Sequence, residues 1–147
     1  LSLTACRLEQ PMFTRLSQKF EFSASHRLHN PSLSDEENRR IFGKCNNPLG
    51  HGHNYELQVT IRGRADGSDL IAGLPELESI VHESVIARFD HRNLNLEVPE
   101  FAQRIPSVEN IARVIYEILQ PRFSAAGREL ASVTVWETPK TWCEYGE

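Results

Sequence analysis

The sequence predicts an α+β domain in which two helices cover one face of a four-stranded antiparallel sheet. Three observations carry this: apolar residues alternate with period two in two early segments, they recur every three or four residues in two later ones, and the order reads strand, strand, helix, helix, strand, strand. With 147 residues, 39% of them hydrophobic and 24% charged, the chain is long enough for one domain with its own core.

The first strand is predicted from Leu16 to Ala24, where Leu16, Phe20, Phe22 and Ala24 share one parity and Ser17, Lys19, Glu21 and Ser23 the other. The second runs from His53 to Arg62, with His53, Tyr55, Leu57, Val59 and Ile61 against Asn54, Glu56, Gln58, Thr60 and Arg62. One wet and one packed face point to antiparallel pairing. Between them lies a long insertion, Arg27 to Gly50, with a capping box at Ser34 and Glu37 and a short helix predicted to end at Gly43. So long a connection in a compact domain is usually functional.

Pro75 suits the first position of a helix starting near Leu74, whose stripe is Leu74, Leu77, Ile80, Val81, Val85 and Phe89. A second helix starts at Ser107 as N-cap, carries Ile111, Val114, Ile115, Ile118 and Leu119 on one face, and is predicted to stop at Pro121. Two strands close the domain, Glu129 to Glu137 and Thr141 to Tyr145, joined through Pro139 and Lys140.

The only methionine is Met12, and residues 1–12 read as a peripheral extension ahead of a single domain over 13–147. They lack the basic and apolar regions of a secretory signal. A net charge of −4 without a basic face excludes a binder that grips nucleic acid by neutralising phosphates. No apolar run approaches the roughly 18 residues of a membrane span. Three cysteines at wide spacing, Cys6, Cys45 and Cys143, fit a reducing compartment, hence the cytoplasm.

Parity also locates candidate chemistry. His51 and His53, two apart, share the face of Tyr55 and Leu57, and His26 has the parity of Phe20, Phe22 and Ala24. Three neutral imidazoles converging beside an apolar layer suit a catalytic zinc ion with its fourth position open. A histidine on an apolar face is otherwise a hydrogen-bonded core residue; His82, off the helix stripe, reads as solvated, and His29, in the insertion, is given no metal role. Cys45 is either a small packed thiol or a base whose thiolate a nearby metal and Lys44 favour. Asp90-His91 is either a solvated helix-end turn or a proton shuttle in which the acid fixes the imidazole tautomer. Glu137 shares parity with Ala131, Val133 and Val135; either it receives paired N–H donors of a heterocycle, or Trp136 faces the core and Glu137 is exposed.

The runs Phe22-Ser23-Ala24-Ser25-His26-Arg27-Leu28-His29, Glu36-Glu37-Asn38 and Phe42-Gly43-Lys44-Cys45-Asn46-Asn47-Pro48-Leu49-Gly50-His51-Gly52-His53-Asn54-Tyr55 resemble the 6-pyruvoyl-tetrahydropterin synthase family. So do Asp90-His91-Arg92-Asn93-Leu94, Ser107-Val108-Glu109-Asn110 and Val135-Trp136-Glu137-Thr138, in the same order. The resemblance covers roughly Phe13 to Glu147. It implies the tunnelling fold, with sheets joined into a barrel in a trimer and two trimers stacked as a homohexamer. It implies zinc held by His26, His51 and His53, Cys45 as general base, and Asp90 and His91 as a proton relay from a neighbouring subunit. Glu137 matches the carboxylate that anchors the pterin, and Ser107 and Glu109 match an element that helps bind its ring. The implied reaction converts 7,8-dihydroneopterin triphosphate to 6-pyruvoyl-tetrahydropterin with loss of triphosphate. Arg27, Lys44 and Arg92 are candidate phosphate contacts from local charge, and Asp66 to Pro75, which departs from the family pattern, is expected to be a surface change.

Two other readings compete. The related 6-carboxy-tetrahydropterin synthases of deazapurine biosynthesis share fold, metal and substrate, but typically have a shorter gap than Cys45 to His51. A non-catalytic oligomeric protein stabilised by zinc would more often close the ion with four protein ligands.

Overall fold

The structure, a computed structural model, describes residues 12–64 and 69–147. The expectations for residues 1–11, Cys6 among them, and for 65–68 lie outside the described residues.

The chain begins with a long hairpin. β1 (Phe13–His26) pairs antiparallel with β2 (His51–Arg64) from Phe13↔Arg64 to His26↔His51. Both strands extend beyond their alternating segments, so His26 is the last residue of β1 and His51 the first of β2. The insertion between them holds α1 (Asp35–Phe42), capped by the reciprocal Ser34–Glu37 bonds and ended at Gly43, followed by a 3-10 turn, Gly43–Asn46. Asn38, fully buried, ties this segment together by donating to the carbonyls of Asn30, Leu33 and Ser34 and accepting from Asn30 N–H.

A short α2 (Asp69–Ala72) precedes α3 (Leu74–Val81), a π turn (His82–Ile86) and α4 (Ala87–Phe89). Leu77, Val81, Val85 and Phe89 recur every four residues, which overruns a 3.6-residue turn by about 40° each time. One wide turn absorbs the overrun, and all four side chains stay in the core. The segment expected to be a surface change is only partly one, because Leu70 of α2 joins the core.

β3 (Arg92–Asn93), α5 (Leu94–Glu97) and a 3-10 turn (Pro99–Phe101) lead to α6 (Val108–Ala125), then β4 (Glu129–Thr138) and β5 (Thr141–Gly146). Among the described residues the sheet has five strands, ordered β3-β1-β2-β4-β5, and is mixed because β3 pairs parallel to β1. This corrects the four-stranded antiparallel expectation; two residues are too few for period two to register.

Pro121 does not end α6. It lies on the exposed side, where a missing N–H costs least, while buried Phe123 holds the following turn to the core. The terminator is Gly127 at φ 73°, with Gly127 N–H donating to Ser124 and Arg128 N–H to Phe123. β4 also departs from simple alternation. The ladder shifts between Thr60↔Ser132 and Ile61↔Leu130, so Ala131 is an extra residue and Leu130 joins Val133 and Val135 in the core.

The helices and one sheet face enclose a single apolar core, from Phe20, Tyr55, Leu57 and Val133 to Val81, Ile115 and Phe123. The other face carries polar ladders such as Ser17 Oγ to Thr60 Oγ1 at 2.8 Å and Ser23 Oγ to Asn54 Oδ1 at 2.7 Å.

Candidate metal centre

At the end of the β1–β2 hairpin nearest the insertion, three imidazoles form a near-equilateral triangle. Ring centroids are 4.9 Å apart for His26 and His51, 5.1 Å for His26 and His53, and 4.8 Å for His51 and His53. The register explains it, since His26 faces His51 directly and His53 follows two residues on, on the same side.

The outer nitrogens are committed. A carbonyl can only accept, so His26 Nδ1–H donates to Pro106 O at 2.7 Å and His51 Nδ1–H to Lys44 O at 3.2 Å. In these tautomers both Nε2 atoms carry lone pairs, and they lie 3.1 Å apart. Two imidazole nitrogens on one tetrahedral ion at 2.0–2.1 Å would be about 3.3 Å apart. His53 Nε2 is 3.2 Å from Glu137 Oε1 but without hydrogen-bond geometry, and it is buried without a partner. His26 is shared by two sets of donors, one with His51 and Cys45 and one with His53 and Glu137, and either set fits a divalent metal.

Two further donors stand at the triangle. The ligand atoms of His26, Cys45 and His51 lie within 4.8 Å of one another, as do those of His26, His53 and Glu137. Burial of His26 lowers its pKa to about 4, helped by the charges of His53 and His51, and burial also lowers His53. Both rings are therefore neutral, as ligation requires. Burial, then the charge of Glu137, pushes the Cys45 thiol up, and burial pushes Glu137 up as well.

The insertion positions Cys45. Leu28 N–H donates to Cys45 O at 2.8 Å, and buried Asn46 donates through Nδ2 to Leu28 O and His29 Nδ1. His29 is thus a scaffold residue. His82 lies exposed, with its ring edge-on to Phe20. Gly50 meets a constraint only glycine satisfies, since φ is 74° and an added Cβ would sit 2.8 Å from His26 O.

Ser107 caps α6, its Oγ accepting from Asn110 N–H, and places the Pro106 carbonyl on His26. Glu109 is the second residue of α6, and its charge adds to the burial that raises both Glu137 and Cys143. Cys143 packs partly against the core. The Glu137 alternatives separate cleanly. Trp136 turns to the polar face beneath Lys19 Nζ, 4.6 Å from the ring, and Glu137 turns to His53.

Asp90 and His91 lie apart from the triangle. Both backbone groups of Ser23 are taken by them, Ser23 N–H donating to Asp90 Oδ1 at 2.8 Å and His91 N–H donating to Ser23 O at 2.6 Å. The first of these bonds, then His91, holds the Asp90 carboxyl below its ordinary range. His91 sits at φ 59°, its Nδ1 3.0 Å from Asp90 Oδ2 and its side chain 82% exposed. Among the described residues no hydrogen bond or ion pair joins either to the imidazoles.

Tyr55 was legible only as packing. It is fully buried, stacked on Phe22 at 5.0 Å, with its hydroxyl 3.3 Å from His26 Nδ1. Its place two residues after His53 on the same parity is the signal that ties it to the rings.

A sequence profile described as 6-pyruvoyl tetrahydropterin synthase matches residues 15–147. The chain belongs to this family. It is 42% identical over 125 residues to the 6-pyruvoyl tetrahydrobiopterin synthase of Homo sapiens, covering 84% of this chain and 85% of the relative. It superposes on the Caenorhabditis elegans 6-pyruvoyl tetrahydropterin synthase structure with a TM-score of 0.84 at 38% identity, covering 93% and 97% of the two chains. Identity to the 6-carboxy-5,6,7,8-tetrahydropterin synthase of Haemophilus influenzae is 27% over 154 residues, covering 90% of this chain and 99% of that one. Among the described residues no helix is long and apolar enough to cross a membrane.

Proposed function

We propose that this chain is a zinc-dependent lyase that converts 7,8-dihydroneopterin triphosphate to 6-pyruvoyl-tetrahydropterin with elimination of triphosphate, in tetrahydrobiopterin biosynthesis. The observation that supports it best is the convergence of three imidazoles beside a thiol and a largely buried carboxylate. His26, His51 and His53 would hold zinc, which when bound acts as a Lewis acid on substrate hydroxyls and makes neighbouring carbon-bound protons more acidic.

The chain's own groups then divide the work. Glu137 accepts paired N–H donors of the pterin edge, with Glu109 and Ser107 at the same end. Cys45 removes a carbon-bound proton, which requires the thiolate that burial alone disfavours. Asp90 takes the Nδ1 proton contact of His91, leaving Nε2 to carry protons to and from substrate. The family resemblance assigns this relay to the site of a neighbouring subunit, and the ring's exposure in its own chain is compatible with that. Single domains spanning 13–147 would join their sheets into a trimeric barrel, two trimers stacking as a homohexamer in the cytoplasm.

Purified protein incubated with 7,8-dihydroneopterin triphosphate should yield 6-pyruvoyl-tetrahydropterin and inorganic triphosphate by mass spectrometry. Acetaldehyde with a 6-carboxy product would overturn the assignment in favour of the carboxy enzyme. Bound zinc without turnover would favour a structural ion.

A further inference from the structure

α1 and α6 both begin at a serine N-cap, yet only α1 closes a capping box. There Ser34 N–H donates to the Glu37 carboxylate, three residues on, at 2.9 Å. In α6 the corresponding position holds Asn110, and the N-cap N–H turns backward: Ser107 N–H donates to Ile105 O at 2.8 Å. That closure spans two residues, a γ-turn with Pro106 at its centre, whose ring fixes its φ.

Asn110 completes the turn. Its Nδ2 donates to the same Ile105 oxygen at 2.8 Å, so both lone pairs of that carbonyl are used. A side chain that donates to a carbonyl ahead of its own helix satisfies none of the orphan N–H groups of the first turn, so capping does not account for it. The peptide unit it steadies does. The Pro106–Ser107 unit is planar, with its N–H on Ile105 O and its C=O accepting from His26 Nδ1 at 2.7 Å. Fixing one end therefore aims the other. The fully buried His26 ring has one other Nδ1 neighbour among the described residues, the Tyr55 hydroxyl, at a longer 3.3 Å.

We infer that Asn110 is a positioning residue of the metal centre: it holds Ile105 O so that the Pro106 carbonyl meets His26 Nδ1–H and leaves the Nε2 lone pair turned to the ion. The inference rests on His26 as a metal ligand. A carbonyl on the outer N–H of a ligating imidazole fixes its tautomer and raises its basicity, and losing such a partner costs about tenfold to a hundredfold in metal affinity. Asn110 acts one hydrogen bond further out, which puts its effect at about tenfold, the lower end of that range.

Two neutral variants test it without altering the local charge. Asn110→Gln supplies a side chain that closes a capping box and draws Ser107 N–H off Ile105 O, and Asn110→Ala removes the donor. Both residues have higher helix propensity than asparagine, so the melting temperature of the metal-free protein should hold or rise. Zinc affinity, measured by competition with a chromogenic chelator, should nevertheless fall about tenfold in each. The His26 Nδ1–H proton resonance, read by NMR in chelator-treated protein, should move upfield as its bond to Pro106 O weakens. Arg113→Ala, one turn along α6 and exposed, should match the wild type in both measurements. Unchanged zinc affinity in both Asn110 variants overturns the inference, as does a loss that only follows a fall in melting temperature, which would mean a general structural role. Failure of the metal reading looks different: the wild type would take up no zinc, while the Nδ1–H resonance still shifted in the Asn110 variants.

Discussion

His26 and His51 are directly opposed across the β1–β2 ladder, and their Nε2 atoms approach to 3.1 Å with each Nδ1 already bound to a backbone carbonyl. Two lone pairs so placed need a cation between them. The expected content is about one divalent ion per chain, measured by plasma emission spectroscopy, and His26→Ala should abolish it. Cys45→Ala should keep the ion and lose turnover. Loss of the ion with the thiol would instead make Cys45 a fourth ligand and the site a closed, structural one.

Acid should destabilise the metal-free protein earlier than its carboxylates account for. His26 titrates near pH 4 in the folded chain and near 6.5 when unfolded. Between these values the unfolded state binds the extra proton, so stability is full above pH 6.5 and falls as pH drops toward 4. The ceiling is about 3 kcal/mol at 1.36 kcal/mol per pKa unit. Chelator-treated protein should lose melting temperature steadily between pH 6.5 and 5, before most carboxylates protonate. A flat profile there would contradict a neutral, buried His26.

Period-two parity made the triangle legible, because His51 and His53 belong to a strand whose apolar face is unmistakable and His26 only required β1 to run two residues further. Capping chemistry made α1 legible for the same local reason. Effects that depend on tertiary context were not. β3 is too short to show a period, Pro121 is tolerated because buried Phe123 secures the turn beyond it, and the Ala131 bulge resets the parity of β4. The carbonyls of Pro106 and Lys44 that fix the two imidazole tautomers carry no side-chain signal at all.

Glu137→Gln separates pterin binding from metal binding. The side chain is nearly isosteric, so the triangle should keep its ion. An amide offers one acceptor oxygen and two donors where the carboxylate only accepts, which mismatches paired N–H groups. Affinity for 7,8-dihydroneopterin should fall about tenfold to a hundredfold, the range for hydrogen bonds to a charged group. Calorimetry with parallel metal analysis checks both. Loss of the ion would move Glu137 into the coordination sphere, beside His26 and His53.

Gly50→Ala tests whether backbone geometry, rather than side-chain chemistry alone, builds the site. Gly50 turns the chain from the insertion into His51, at φ 74° and with its Cα hydrogen facing His26 O. A methyl group there meets that carbonyl at 2.8 Å and also incurs the left-handed penalty, together about 2 kcal/mol or more. The atom it strikes belongs to the residue paired with His51, so relief must pull β1 and β2 apart where two imidazoles meet. Metal affinity should therefore fall further than global stability does, visible as zinc loss at chelator concentrations the wild type withstands while the melting temperature drops only several degrees. Gly43→Ala is the contrast. Its backbone, φ 53° and ψ −126°, is likewise one that favours glycine, but nothing lies within 4 Å of an added Cβ, so it should lower the melting temperature and leave metal affinity unchanged. Equal zinc retention in the two variants would show that the hairpin end tolerates the intrusion, and that the triangle is held by its hydrogen-bonded carbonyls instead.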